Sequence, residues 1–116
     1  MDKLGAHTYT AMLAIKAKLD VADCRRLTGE IIDGILMTPA HESVVFTYPY
    51  NGAGNGFIYI QPIIESFISW DVWKDPEGAY LTICSCKAFS MIPIMDILKT
   101  EGLEILELTE SAMGLR

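Results

Sequence analysis

Residues 68–73 and 79–85 are two short segments rich in β-branched and aromatic side chains, separated only by Lys74-Asp75-Pro76-Glu77-Gly78. Chain geometry restricts how they can meet. A link this short joins antiparallel neighbours, because a parallel crossover needs a dozen residues or more. A hairpin is therefore expected here, and the rest of the molecule has to be built around it. In a regular strand Trp70 faces away from Asp71 and Trp73, so one tryptophan belongs to the core or to an interface.

The remaining pattern supplies partners for the hairpin. Residues 7–15 alternate loosely and include Thr, Tyr and Ile, which predicts a first strand. Val21, Cys24, Leu27, Ile31, Ile35 and Leu36 recur at three- and four-residue steps, one face of a helix running to about Met37, with Asp20 or Asp23 as its cap. Residues 43–48 and 57–64 read as strands, Pro62 marking a bulge or an edge. A second helix is expected from about Ile92 to Glu101, and a last strand over residues 103–108. The order predicts an α+β fold, a two-layer sandwich of an antiparallel sheet with two helices on one face, as a single domain over residues 1–116.

At 116 residues with 51% hydrophobic composition, the chain has more apolar surface than so small a body readily hides, which predicts a homo-oligomer, a dimer being favoured. The net charge of −6 disfavours nucleic acid, whose phosphates need a clustered basic surface. Apolar runs are broken by Asp33, Glu65, Asp71 or Lys87, too early for a membrane span. The amino-terminal residues show no basic region followed by an apolar one, and the odd count of three cysteines fits a reducing cytoplasm.

Several chemistries find no support. Two distant histidines and no spaced Cys/His set give no metal site. Cys84 and Cys86, at alternate positions, are read first as buried strand residues. No G-x-S-x-G elbow is present. The stretch Pro49-Tyr50-Asn51-Gly52-Ala53-Gly54-Asn55-Gly56 is a turn-rich loop, but it leads into a strand and offers no helix N-terminus to a phosphate.

The segment from Gln61 to Cys86 resembles the signature of the small prokaryotic S-adenosylmethionine (SAM) decarboxylases. Glu65-Ser66 is similar to that family's self-cleavage dipeptide, Trp73 and Asp75 to its Trp and Glu, and Cys86 to its cysteine, at the family's own spacing from the serine. Leu4-Gly5-Ala6-His7, Thr47-Tyr48-Pro49-Tyr50 and Asn55-Gly56 resemble its upstream motifs. The resemblance implies a SAM decarboxylase-like fold and, for cofactor, a pyruvoyl group made from Ser66. It implies catalytic roles for Glu65, Ser66 and Cys86, with Asp71 where the family has a histidine used in self-processing. It also implies a homodimer with the site near the subunit interface. An aromatic face over the sulfonium of SAM or a derivative suits that substrate, with Tyr48, Tyr50, Trp70 and Trp73 as candidates; the substrate-binding set expected is Tyr48, Tyr50 and Trp73, together with Asn55 from the Asn55-Gly56 match. The change from histidine to Asp71 opens two further readings: an uncleaved lyase that releases methylthioadenosine from SAM, or a SAM-binding protein without catalysis.

Overall fold

Strand alternation decides the layering. The computed structural model describes residues 7–47 and 56–115. They form β1 (His7–Lys16), α1 (Val21–Ile35), β2 (Val44–Thr47), β3 (Gly56–Ile63), β4 (Ser66–Lys74), β5 (Glu77–Ser85), α2 (Met91–Thr100) and β6 (Glu104–Gly114). The strands make one antiparallel sheet in the order β2-β3-β4-β5-β1-β6. The expected hairpin is β4–β5, with a tighter turn than the sequence suggests: Lys74 already pairs with Glu77.

β4 lies inside the sheet and shows the alternation most clearly. Ile68, Trp70 and Val72 are buried on the helix side, each worth about 1.5–3 kcal/mol of transfer free energy. Phe67, Ser69, Asp71 and Trp73 project to the other side. β5 answers with Ala79, Leu81 and Ile83, and β1 with Leu13 and Ile15. Helix α1 covers this face with Cys24, Leu27, Ile31 and Ile35, and α2 adds Ile94 and Leu98. Burial and the nearby Asp23 and Asp20 push the Cys24 thiol up to about 12, so it packs as a small hydrophobe.

Both aspartates proposed as caps are used. Asp20 is the N-cap and accepts from the Asp23 N–H at 2.7 Å, while the Asp23 carboxylate accepts from the Asp20 N–H at 3.0 Å. The helix ends at Leu36, whose φ of 59° is left-handed, earlier than the expected Met37. The Lys87 ammonium donates to the Leu36 carbonyl at 3.1 Å and satisfies one of the helix's terminal acceptors. Pro62 lies beyond the reach of the four-residue β2, and there Ala40 N–H donates to the Pro62 carbonyl. The last strand runs on to Gly114, six residues past the apolar stretch that announced it, because β1 pairs with it along its whole length.

One polar contact ties the sheet to the helices, and another ties the two helices to each other. The Trp70 indole N–H donates to the Thr28 hydroxyl at 2.9 Å, with both residues buried. The Arg26 guanidinium donates to Glu101 at 2.8 Å, linking α1 to the end of α2, and this bond holds the Glu101 carboxyl below the usual carboxylate range.

Thr28→Val keeps the shape and strands the indole N–H, so it should cost about 1–3 kcal/mol in urea unfolding with an unchanged m-value. For Glu101 the folded pKa lies below the unfolded one. Its contribution is therefore complete above the unfolded value of about 4.3 and disappears as pH falls through the lowered folded value. Glu101→Gln should be less stable than the parent near neutral pH, and the two denaturation midpoints should converge in acid.

Candidate active site

The β3–β4 hairpin turns through Ile64 and Glu65, and Ser66 opens β4 opposite Ile63 on one side and Ser85 on the other. The turn is pinned from three directions. Ile64 N–H donates to the Thr38 carbonyl at 2.8 Å, Thr38 N–H donates to the Glu65 carboxylate at 3.0 Å, and Cys86 N–H donates to the Glu65 carbonyl at 2.9 Å. Ser66 takes a φ of 156°, a value that non-glycine residues adopt rarely and at a cost of order 1–3 kcal/mol. Three of the sequence-predicted residues, Glu65, Ser66 and Cys86, thus meet at one corner. Ser66 is exposed and Cys86 half-buried. The carbonyl preceding the serine is polarised by a fixed backbone donor.

Beneath this corner Ser85 is fully buried, its hydroxyl donating to the Lys87 carbonyl at 2.7 Å and accepting from the Lys87 N–H at 2.9 Å. That closed loop fixes the chain just after Cys86. Cys84 is not fully buried as expected. It is half-exposed on the open side of the sheet, its sulfur 3.3 Å from the Thr8 hydroxyl.

Asp71 and Trp73 sit elsewhere. They lie five and seven residues along β4, about 17 and 23 Å at strand rise. By alternation they point to the open side, whereas Ser66 shares the helix side with Ser85 and Ile68. Asp71 is flanked across the sheet by Ile58 and Tyr80. One chain does not bring Asp71 to Ser66.

Of the predicted binding residues, Trp73 is placed near the end of β4. Tyr48, Tyr50 and Asn55 lie outside the described residues, but Thr47 and Gly56, which flank them, are located. Thr47 pairs with Phe57, and Gly56 pairs with Trp73. A side chain at Gly56 would put its Cβ 1.8 Å from the Val72 carbonyl oxygen, so the backbones can approach this closely only without one. Trp73 borders two concavities. One, of about 320 Å³, lies over Ala14 and Gly78 with Tyr80 and Leu106 as walls. The other, of about 540 Å³, lies against Leu19, Asp20 and Phe57. Neither is lined by Glu65, Ser66 or Cys86, and the same holds for a third concavity beside Tyr9 and Phe89.

Tyr80 escaped the sequence reading. It is half-exposed beside Asp71, and counting back from the β4–β5 turn would have placed it there. Among the described residues no group of three or more His, Cys, Asp or Glu side chains is placed to hold a metal ion, and no helix is long and apolar enough to cross a membrane.

No protein-family model matches the chain, and no curated protein matches it in sequence. In three dimensions it is similar to the crystal structure of the adenosylmethionine decarboxylase from Aquifex aeolicus VF5. The TM-score is 0.66 at 16% identity, over 96% of this chain and 92% of that one. At that identity the likeness establishes the fold, a six-stranded antiparallel sheet with two helices arranged as in an adenosylmethionine decarboxylase.

Proposed function

We propose that the chain is a lyase acting on SAM or a close derivative, and that it decarboxylates its substrate through a pyruvoyl group made from its own Ser66. The observation that carries this reading is the corner at Glu65-Ser66. There an exposed hydroxyl follows a carbonyl that accepts a backbone N–H from Cys86, in a strained backbone conformation. Attack of the Ser66 oxygen on the Glu65 carbonyl carbon exchanges an amide for an ester, and the Cys86 N–H is placed to steady the oxyanion that forms on the way. Elimination then releases the Glu65 carboxylate, and hydrolysis of the remaining enamine frees ammonia and leaves a ketone at the new amino terminus. Bound there, a pyruvoyl group supplies an electron sink for loss of carbon dioxide. Cys86, the residue after the Ser85 that pairs with Ser66, is the candidate to return a proton to the product.

The separation of Ser66 from Trp73 favours a site shared between two copies. The open side of the sheet carries Phe46, Met12 and Tyr80, each about half-exposed, with Ile58, Ile60 and Phe67 half-buried around them. An apolar face of this kind suits a subunit contact. Two copies stacked with their strands running oppositely set the Trp73 end of one over the Ser66 end of the other. The partner then brings its aromatic walls and its Asp71 to the end of the sheet at the β3–β4 turn, where they meet the exposed Ser66 around that end, since by alternation Ser66 itself lies on the helix side.

A second reading rests on the separation of Asp71 from Ser66 within one chain. If Asp71 does not reach Ser66, nothing stands where the resemblance puts the self-processing histidine, and the chain acts uncleaved as a lyase that releases methylthioadenosine.

Freshly purified protein on a denaturing gel should show two pieces, of 65 and 51 residues, split between Glu65 and Ser66. Incubation with SAM should release carbon dioxide. Ser66→Ala should stay whole and lose the activity. A single intact chain that releases methylthioadenosine would sink the decarboxylase and support the second reading. For the shared site, an equal mixture of refolded Ser66→Ala and Trp73→Ala chains should recover about one quarter of parental activity, since half of the dimers carry one intact site. No recovery would place both residues in one subunit's site.

A further inference from the structure

We propose that β6 is an assembly edge, pairing antiparallel with β6 of a second copy to join two sheets into one. The strand holds eleven residues and is paired with β1 on one side only. It lies at the rim of the sheet, and among the described residues no strand covers its outer side. The opposite rim is β2, which has four residues. A long uncovered edge is a row of unmet backbone donors and acceptors, and it templates the addition of another strand.

The sequence of β6 selects a copy of itself as that strand. A two-fold axis perpendicular to the sheet keeps both helix layers on one side, and full overlap puts the axis at the midpoint, Thr109. Glu104 then faces Gly114, Glu107 faces Ser111, and Glu110 faces Leu108. None of the three carboxylates of the strand meets another, and the two threonines meet each other, a favourable cross-strand pair. Moving the axis to Glu110 sets that acid against itself. Moving it to Leu108 leaves Met113 and Gly114 of each strand without partners. The register shift opposite Ala14/Ile15 falls at Leu106, so the central stretch from Glu107 to Ser111 is regular strand. Leu106, Leu108 and Met113, exposed in the single chain, lie along the seam. The pairing is independent of the SAM reading, since it uses none of residues 65, 66, 71, 73 or 86.

The test uses single cysteine variants of the full chain, mildly oxidised and run on a non-reducing gel. Across the axis the two Thr109 Cα atoms lie about 4.5–5.5 Å apart, within disulfide range. Thr109→Cys should give a species of twice the chain mass, reversed by reductant. Ser111→Cys, facing residue 107, should give about tenfold less, and the parent, with Cys24, Cys84 and Cys86 alone, none. Thr109→Lys, which sets two like charges together, should halve the sedimenting mass while circular dichroism stays unchanged. Absence of the linked species, equal linking at 109 and 111, or an unchanged mass for Thr109→Lys would each overturn the proposal.

Discussion

The structure depends on one-sided burial of β4. Ile68, Trp70 and Val72 are driven under the helices, and the bond from the Trp70 indole to Thr28 holds the strand to α1 where a slip of one residue would reverse every side chain. With β4 fixed, its neighbours have no freedom of register. β3 and β5 must place their own apolar rows beside it, and β1 follows β5. Among the described residues no helix covers the opposite face, to which Asp71, Trp73 and Tyr80 belong.

That same alternation determines what the candidate site can be. Ser66 and Asp71 are an odd number of residues apart on one strand, so they cannot share a face while the strand is regular. Seven residues separate Ser66 from Trp73, farther than one small ligand reaches. If the Glu65-Ser66 corner reacts as proposed, it and the aromatic walls near Trp73 lie at opposite ends of β4, and one substrate would meet both only where two chains combine them. The apolar open face is where that combination is least costly, since stacking it removes from water the surface that the helices do not cover.

Much of this was legible in the sequence. The hairpin, the helix start at Asp20 and the core rows of β4 and β5 each follow from period and turn chemistry that local rules capture. The opposite facing of the two tryptophans was also readable, and Trp70 is the buried one. What the sequence withheld is whatever depends on a distant segment. The length of β6 is set by β1 across the sheet rather than by its own hydrophobicity, and its polar residues from Thr109 onward conceal it. The donor to the Glu65 carbonyl comes from the backbone of Cys86, which no residue pattern announces. Motif spacing linked Ser66 to Asp71 along the chain. Distance in a strand, which grows with every residue, separated them.

The two uncovered surfaces differ in kind, and the difference bears on assembly. The open face carries side chains whose exposure is a matter of hydrophobic area, so its burial is tolerant of small changes in orientation. The β6 edge carries backbone groups, which are satisfied only in discrete registers two residues apart. Glutamates at 104, 107 and 110 make most of those registers unequal, and they weaken casual addition of a foreign acidic or unmatched strand. A chain with a net charge of −6 gains solubility from such residues anywhere on its surface. Their spacing along an edge adds a further consequence, because it separates the one full-length symmetric alignment in which no acid faces an acid from the neighbouring alignment that fails. Face contact and edge pairing therefore impose different demands on the same sheet, and one assembly can meet both without moving a single strand.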